Sequence, residues 1–354
     1  MSQKHPSFTL IIESENLASC KPEEIQNMFE SLLNQTHSIL DANEVIIGDN
    51  GLIPTDILSQ VRMLMPNLKQ LQVKREITYY QAKNFLASHA TGEILVFCDS
   101  DCIYETQWLE EILASFVKEP QAEVIAGETV IEVKGAYSLG IAINYMLHRQ
   151  KTDNELKKCK FYYLNNVAFK RAFFEANLIP DHIKIFRGTC SVHSKQIAEQ
   201  GIPIWKNALA KAYHLPPQNL KYYLLRFLIM GHDHYWLDQL LATTPNLSPN
   251  QGGEEVVKQA SVQQSLDKVI IPAAQEKIRQ RSLGQRLQRK YRYWVNQFKV
   301  YGEEYTITKV NMVLAIPVMF FSQSLIMLGR LMTQFNRLFS KEPHWLYRLT
   351  VFLD

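Results

Sequence analysis

The first 130 residues alternate short apolar runs with stretches whose apolar residues recur at helical spacing. Short, mainly apolar runs of three to five residues predict buried strands. They are Phe8–Ile12, Val45–Ile47, Leu71–Val73, Ile94–Cys98 and Val124–Ala126. Between them, Pro22 can open a helix whose apolar face continues from Ile25 to Leu33, and Gln81–His89 and Trp108–Phe116 predict further helices. Strands alternating with helices predict a mainly parallel sheet covered on both faces.

Acidic residues follow three of these predicted strands. Glu13, Asp49 and Asp99 each stand where an apolar run ends. In open α/β sheets, ligands bind beyond the carboxyl ends of the strands. We therefore expect the three carboxylates to face one crevice.

The rest of the chain is less regular up to residue 245 and then changes character. We predict a helix at Leu139–His148, a strand at Phe161–Leu164, a helix at Ser191–Gln200 that stops at Gly201, and a linker at Thr243–Gly253. The segment Lys277–Lys299 then holds eight Lys or Arg and no acidic residue, interleaved with aromatic residues. Val310–Gly329 follows, twenty residues without a charge.

The apolar segment Val310–Gly329 is long enough to cross a bilayer at about 1.5 Å per residue. Pro317 and several polar residues weaken that interpretation, so a buried helix stays open. The basic, aromatic segment before it suits an anionic membrane surface, with nucleic acid as the competing partner. The uncharged segment Val310–Gly329 next to it favours membrane association over nucleic acid. Because Lys309 and Arg330 flank that segment, its orientation relative to the membrane stays undecided.

Composition narrows the class further. The 354 residues carry a net charge of only +3, which argues against a nucleic-acid partner for the whole chain. The five cysteines include no C-x-x-C pair, and no secretory pattern opens the chain, so we expect a cytoplasmic protein. Phosphate-cradling, dinucleotide-binding, zinc-protease and esterase motifs are missing from the sequence.

The triplet Asp99-Ser100-Asp101 is the first candidate for chemistry. Two carboxylates one residue apart at a strand end can reach one hard cation. A magnesium or manganese ion held there can bridge phosphates and neutralise charge on a leaving diphosphate. A solvated acidic turn is the alternative, and the strand before the triplet favours the metal.

The order and spacing of several segments resemble the family 2 glycosyltransferases of the GT-A fold, over residues 8 to 235. These segments are the opening strand at Phe8–Ile12, Leu32-Leu33-Asn34-Gln35-Thr36, Asp49, Tyr79–Asn84 and Ala90–Ile94 before the D-x-D triplet. The resemblance implies an α/β, GT-A (Rossmann-like), mainly parallel sheet flanked by helices, to which we add a C-terminal helical, membrane-associating extension.

The resemblance also assigns the donor site. It implies that Glu13 and Asp49 line the nucleotide pocket and that Lys83 and Asn84 lie near the ribose or phosphates. Asp99 would hold the ribose or a metal-bound water. A surface helix position for Lys83 is the competing interpretation.

The same resemblance implies the metal ligands. Asp101 would bind a divalent Mn²⁺ or Mg²⁺ ion directly. His214, in Tyr213-His214-Leu215-Pro216, would be a later ligand, with an ordinary buried or surface histidine as the alternative. We do not assign Gly231-His232-Asp233-His234 as metal ligands, because the density of polar residues there predicts a helix-end cap and a solvated loop.

One departure concerns the catalytic base. The family's acceptor half carries an acidic pair after an arginine–glycine turn, but here Arg187-Gly188 is followed by Thr189 and Cys190. Neither side chain replaces a carboxylate at its ordinary pKa. Asp181 or His182 could substitute if the loop folds inward, and the base stays unassigned. Asn165-Asn166 resembles the acceptor-side loop over the diphosphate, with a plain turn as the alternative.

The sequence therefore predicts a metal-dependent inverting glycosyltransferase that moves a sugar from a nucleotide diphosphate to a lipid-linked or saccharide acceptor at the cytoplasmic membrane face. The domain would cover 1–245, with a donor half at 1–130 and an acceptor half at 131–245, before a helical basic and apolar region at 246–354. A nucleotidyltransferase and a non-catalytic sugar-binding subunit are the alternatives.

Overall fold

The computed structural model describes residues 5–15, 20–51, 53–74, 76–145, 147, 155–183, 185–243 and 283–339. The strands are β1 (Phe8–Glu13), β2 (Glu44–Asp49), β3 (Leu68–Gln72), β4 (Ile94–Asp99), β5 (Cys102–Tyr104), β6 (Val124–Ile131), β7 (Lys157–Cys159), β8 (Asn166–Lys170) and β9 (Ile204–His214). The helices are α1 (Pro22–Leu33), α2 (Thr55–Leu64), α3 (Tyr79–Ala87), α4 (Trp108–Lys118), α5 (Ala136–Asn144), α6 (Arg171–Ala176), α7 (Thr189–Glu199), α8 (Leu220–Thr243), α9 (Leu283–Tyr305) and α10 (Lys309–Phe339).

The strands form one sheet in the order β3-β2-β1-β4-β8-β6-β9-β5, with β7 also paired to β9. Strands β1 to β4 pair in parallel, as the alternation of strands and helices predicted. Beyond β4 the sheet is mixed, because β8 runs antiparallel to both β4 and β6, whereas β9 is parallel to β6. The α/β fold class is confirmed, and its parallel half carries the acidic strand ends.

Each face of the sheet has its own core. On one face α1, α2 and α4 pack on the strands, and the predicted apolar positions Ile25, Met28, Phe29 and Leu32 of α1 are buried. On the other face α3 contributes Tyr79, Tyr80 and Leu86. The side chain of Thr78 caps α3 by accepting the Gln81 amide N–H, which fixes where the helix starts beside β4.

A third core joins α5, α8 and α10 away from the sheet. It contains Leu139 and Ile143 of α5, Phe227 of α8, and Met319 and Ile326 of α10. Gly231 and Gly329 allow α8 and α10 to touch backbone to backbone, since a Cβ on either glycine would collide with the main chain of the other helix. Over the described residues, Lys309–Arg337 is the one helix long and apolar enough to cross a membrane, by length and composition.

Some predicted elements differ in the structure. The predicted strand at Phe161–Leu164 is wrong: the segment turns, with the Asn166 amide donating to the Tyr163 carbonyl. The predicted cap and loop at Gly231–His234 is also wrong, since these residues lie inside α8. The predicted 139–148 helix ends at Asn144, and position 148 lies outside the described residues, as does the predicted linker from 244 to 253.

Candidate functional site

The acidic strand ends meet at one edge of the parallel half. Glu13 and Asp99 are opposite each other in the β1–β4 register, and Asp49 ends the neighbouring strand β2. All three are at most 8% exposed. Parallel pairing brings the three carboxylates to one edge of the sheet, but of the three only Asp99 lines the cleft described below.

Asp49 is oriented by groups that follow it in the chain and in the sheet. Its Oδ1 accepts the Gly51 amide at 2.7 Å, and its Oδ2 accepts the Gln70 side-chain amide at 2.6 Å. Gly51 has a φ of 86°, a left-handed conformation that glycine adopts without strain. The turn thus fixes the Asp49 carboxylate at the rim of the strand ends.

Glu13 is a different kind of carboxyl group. Burial raises its pKa well above its ordinary value, and the neighbouring Glu15 and Asp99 raise it further against the opposing effect of Lys83. Its Oε1 accepts the Glu15 amide N–H at 2.5 Å. A buried carboxyl with a raised pKa favours the protonated form, which can donate a hydrogen bond as well as accept one.

Asp99 is held by two groups from α3. The Tyr79 hydroxyl donates to the carboxylate at 2.8 Å, and Lys83 Nζ lies 2.6 Å from Oδ1 while also donating to the Cys98 carbonyl. Lys83 is fully buried, so the alternative of a surface helix lysine is excluded. Its charge is compensated by Asp99, and its ammonium lies at the carboxyl end of β4.

Asn84, on the same helix, ties the donor half to the following segment. Its side-chain amide donates to the Ile179 carbonyl at 2.8 Å, and its oxygen accepts the Ile179 amide at 3.3 Å. Asp181 Oδ2 is 3.4 Å from the same Asn84 nitrogen. This pairing uses the main polar groups of Asn84 within the protein.

Asp101 and His214 lie face to face. Cys102 pairs with His214 in the β5–β9 register, which brings Asp101 Oδ2 to 3.2 Å from His214 Nε2. The other ring nitrogen, Nδ1, is 2.7 Å from the Leu215 carbonyl, so Nδ1 donates its proton there and Nε2 faces Asp101. Burial opposes both charges, yet their attraction prevails: the pKa of Asp101 is lowered and that of His214 is raised.

This pair fits a divalent cation. A carboxylate oxygen and the imidazole Nε2 face each other inside a buried edge, and once Nε2 has lost its proton both are ligands that Mn²⁺ accepts. Without a metal, a proton on His214 fills the same electrostatic role. The carboxylate of Asp101 is therefore charged in either state.

Two arginines that the sequence analysis did not single out complete the positive side of the site. Arg187 stacks on Tyr79 and Phe186, with its guanidinium carbon 4.2 Å from each ring centre, and Arg226 donates from Nε to the Tyr145 hydroxyl at 2.9 Å. Both residues are at most 8% exposed, and both lower the pKa of Asp101. The signal for Arg226 was a single cation inside the apolar run from Tyr222 to Met230.

The turn that carries Arg187 is fixed by α8 and α3. Asp233 accepts the amides of Phe186 at 3.0 Å and Arg187 at 2.7 Å. The Tyr80 hydroxyl accepts those of Gly188 at 2.8 Å and Thr189 at 3.1 Å. Four consecutive amides of this turn have hydrogen-bond partners on α8 or α3, so these two helices fix the position of Arg187.

A cleft of about 340 Å³ opens beside these residues. Asp99, His214, Arg187 and Arg226 line it together with an aromatic and apolar wall, which includes Tyr145, Leu147, Phe161, Tyr163, Leu164, Leu237 and Leu241. Asn165 also lines it, whereas the Asn166 side chain is buried against Trp108 and the Ala210 carbonyl. The cleft thus combines an apolar wall with two buried cations.

The cleft contains a thiol, but this thiol does not supply a catalytic base. Cys190, at the position where the resembling family carries acid, lines the cleft, and burial raises the pKa of its thiol to about 11. Asp181 contacts Asn84, and His182 is exposed.

Comparisons with known proteins agree with this picture. The model of the family described as glycosyl transferase family 2 matches residues 19–178. Polypeptide N-acetylgalactosaminyltransferase 11 of Xenopus tropicalis is 27% identical over 135 residues, 32% of this chain and 22% of the relative. Polypeptide N-acetylgalactosaminyltransferase 15 of Homo sapiens is 30% identical over 143 residues, 36% of this chain and 21% of the relative. The chain thus spans about a fifth of the length of these curated relatives.

Among solved structures, a mannosyltransferase from Pyrobaculum calidifontis, in complex with GDP-Man and Mn²⁺, superimposes with a TM-score of 0.51 at 16% identity. The alignment covers 96% of this chain and 89% of that one. The fold is therefore shared with that structure, and it is the GT-A fold that the motifs implied. The match to the glycosyltransferase family 2 model covers 160 of the 354 residues, and the resemblance seen in the motifs is confirmed over residues 19–178.

Proposed function

We propose that this chain is a metal-dependent inverting glycosyltransferase that uses a nucleotide-diphosphate sugar. The observation that carries the proposal is the buried Asp101–His214 pair beside Asp99 and two buried arginines. Oppositely charged groups converge there at the carboxyl ends of the strands, where α/β sheets bind ligands. The family match and the Mn²⁺ complex of the mannosyltransferase neighbour support the same proposal.

Asp101 and His214 would hold Mn²⁺ or Mg²⁺ in this scheme. When bound there, such an ion would supply positive charge that neutralises a departing diphosphate. His214 Nε2 would then exchange its proton for the ion, while the Leu215 carbonyl keeps the ring oriented. The contact between His214 Nδ1 and the Leu215 carbonyl matters because it fixes the ring orientation. Less side-chain entropy is then lost when Nε2 binds the ion.

The donor nucleotide would lie along the acidic strand ends. Asp49 offers a fixed carboxylate for a base or ribose hydroxyl, and Glu13, with its raised pKa, offers both an acceptor and a donor. Asp99 would face the ribose or a metal-bound water, with Lys83 and Tyr79 holding its orientation. Lys83 and Asn84 would act near the phosphates and ribose mainly through these positioning contacts.

Arg187 and Arg226 would stabilise the leaving diphosphate. Both guanidinium groups are buried and lie close enough to Asp101 to lower its pKa. Two neighbouring cations repel each other in a site of low dielectric, and an anion between them removes that repulsion. A diphosphate, with charge growing as the sugar bond breaks, is such an anion, and guanidinium groups match its oxygens well.

The acceptor would enter through the cleft. Its aromatic and apolar wall suits a saccharide ring or the first part of a lipid-linked acceptor, at the cytoplasmic face of a membrane. The basic α9 and apolar α10 support membrane association. The acceptor's proton would pass to a group that is still unassigned, with Asp181 and His182 as the nearest candidates by sequence.

The proposal is tested by titrating the purified chain with UDP and GDP, each with and without Mn²⁺. We expect one nucleotide to bind with at least tenfold higher affinity when Mn²⁺ is present, and Asp101→Ala to remove the metal dependence. Asp41→Ala, an exposed aspartate in a turn between α1 and β2, is the matched control. Metal-dependent binding that survives Asp101→Ala would refute the metal assignment.

A second candidate is a non-catalytic donor-binding subunit, which the high thiol pKa of Cys190 in place of an acid favours. Slow hydrolysis of the bound donor by the purified chain would exclude it. A nucleotidyltransferase is distinguished by its product, because it releases pyrophosphate rather than a nucleoside diphosphate.

The division of the chain belongs to the same proposal. Residues 1–245 would form the transferase domain, with the donor half at 1–130 and the acceptor half at 131–245. The region 246–354 would attach this domain to the membrane. The third core packs α10 of the second region on α5 and α8 of the first.

A further inference from the structure

Helix α10 has two opposite faces, and only one is covered by protein. Ala315, Met319, Ser322, Gly329 and Thr333 form a buried stripe against α5 and α8. The opposite stripe stays open: Val313, Phe320, Phe321, Leu328, Leu331 and Phe335 are between 47% and 65% exposed. At about 100° per residue these side chains share one face over more than six turns. An exposed apolar face of this length marks an interaction surface.

The buried stripe fixes α10 along the transferase domain. Close backbone packing of Gly329 on Leu228 holds its middle. The Asn144 side chain donates to the Met319 carbonyl, and Arg330 pairs with Asp238. Arg337 donates to the Tyr235 hydroxyl at 2.8 Å. A helix crossing the bilayer separately from its domain would lose all of these contacts.

Positive charge surrounds the open face. Residues 283–339 contain eight Lys or Arg and two Glu, a net charge of +6, whereas the whole chain carries +3. Arg292, Lys299 and Lys309 are exposed. The Trp294 ring of α9 lies 5.3 Å from Phe320, so the basic helix borders the open face. Anionic headgroups attract such cations by about 1 kcal/mol each.

We propose that α10 lies in the plane of an anionic membrane surface, with its open face among the acyl chains and its buried stripe still packed on α5 and α8. The occupant of the open face is a lipid bilayer, and the helix does not cross it. This inference rests on the membrane association in the proposed function and adds its mode. Since α8 also lines the cleft with Leu237 and Leu241, the acceptor site would lie within one helix diameter of the lipid surface.

The experiment is flotation of the purified full-length chain with preformed vesicles, without donor or detergent. Vesicles of phosphatidylcholine alone are compared with vesicles that contain about 30% phosphatidylglycerol. We expect binding to the anionic vesicles, weaker binding in high salt, and release by alkaline carbonate. The double variant Leu328→Asp/Leu331→Asp should reduce binding at least tenfold, because two side chains that leave water become charged.

A matched control is Met63→Asp/Leu178→Asp, which places the same charges on two exposed apolar positions elsewhere. It should bind vesicles as the wild type does, and thermal unfolding shows whether each variant is folded. Binding that resists carbonate would mean a crossing helix and overturn the inference. So would a dimer in light scattering that the α10 double variant dissociates, since a second copy would then cover the face. Donor titration of the same samples is independent, so a failure of membrane binding is distinguishable from a failure of the transferase proposal.

Discussion

At the scale of single residues, the positive wall of the cleft is the least expected feature of the site. Arg226 lies in an otherwise apolar stretch of α8, and its hydrogen-bond partner is the neutral hydroxyl of Tyr145. The side chain is 7% exposed. Its guanidinium lies near the Asp101 carboxylate and the cation Arg187, and its burial has a large desolvation cost that an anionic ligand would help to offset.

This arrangement leads to a prediction for Arg226→Met. The change keeps most of the apolar contact with Tyr145 but removes the charge. We expect affinity for the donor diphosphate to fall by about tenfold or more, because a hydrogen bond to a charged group contributes roughly 1.5–3 kcal/mol. Titration calorimetry with the preferred nucleotide measures it, and Arg292→Met, at an exposed position of α9, is the control. Equal affinity in both variants would mean that Arg226 does not face the diphosphate.

A second residue-scale prediction concerns acid stability. Burial lowers the pKa of His193 to about 4, and its Nδ1 is 2.6 Å from the Tyr162 hydroxyl. An unfolded histidine has a pKa of about 6.5, so below that pH the unfolded chain takes up a proton that the folded chain refuses. The stability due to neutral His193 is therefore complete above pH 6.5 and declines as the pH falls toward 4. The loss amounts to roughly 3 kcal/mol.

His193→Gln should flatten this decline, since glutamine can still accept from Tyr162 but does not titrate. Urea unfolding between pH 7 and pH 4 gives the comparison. His182→Gln, at an exposed position, should keep the wild-type slope. An unchanged slope in His193→Gln would mean that other groups control acid stability.

The sequence predicted the acidic strand ends but not the arginines, for a physical reason. Glu13, Asp49 and Asp99 follow apolar strands directly, and parallel pairing alone brings them together. Arg187 and Arg226 come from a turn and a helix about 40 residues apart. Their meeting depends on the contact of Asp233 with the turn, which no local pattern records.

At the scale of elements, the crossing of α8 and α10 depends on two glycines. A Cβ at Gly329 would collide with the Leu228 backbone, and one at Gly231 with the Ile326 carbonyl. Backbone atoms cannot rotate aside as a side chain can, so the helices would have to separate. Overpacking of this kind usually costs about 1–3 kcal/mol.

We therefore predict that Gly329→Ala destabilises the chain by about 1–3 kcal/mol despite the higher helix propensity of alanine. Gly302→Ala is the matched control within the C-terminal helices. A Cβ there would meet only the Met312 methyl carbon at 2.5 Å, the end of a flexible side chain. That variant should be neutral or slightly stabilising. Urea unfolding of the two variants decides the matter, and similar stabilities would contradict the tight crossing.

The strand predicted at 161–164 was wrong because buried side chains in a turn produce the same apolar run as a buried strand. Tyr162 and Leu164 are buried in the core under the sheet, which produced the apolar run at 161–164. The chain turns there because the amide of Asn166 bonds locally to Tyr163 rather than to a neighbouring strand. The helices α1, α3 and α4 were predicted because their apolar faces repeat for at least two turns.

At the scale of the whole molecule, the C-terminal helices complete a core rather than follow a finished domain. Leu139, Ile143, Phe227 and Met230 of α5 and α8 are at most 2% exposed, and α10 covers them. Without α10 these side chains would face water at a cost of about 25 cal/mol per Å².

We predict that a chain ending at residue 245 unfolds at a clearly lower temperature than the full chain and aggregates. Differential scanning calorimetry of both gives the comparison. Leu328→Asp/Leu331→Asp, which changes the open face of α10 but leaves its buried stripe intact, should keep the full-length midpoint. A truncated chain with the same midpoint would show that residues 1–245 are an independent unit.

The attachment of Asp233 to the Arg187 turn has a consequence for protein engineering. One helix, α8, presents Arg226 to the cleft, holds the Arg187 turn through Asp233, and receives α10 at Gly231. A chimaera that exchanges only the C-terminal helices would place a foreign α10 on a surface of α8 that is shaped for the original helix. A chimaera that exchanges α8 as well would also replace Arg226 and change the support of Arg187. Because α5 also packs on α10, the smallest transplantable module runs from α5 to the end of α10, and new membrane attachment cannot be grafted without rebuilding the wall that carries the two arginines.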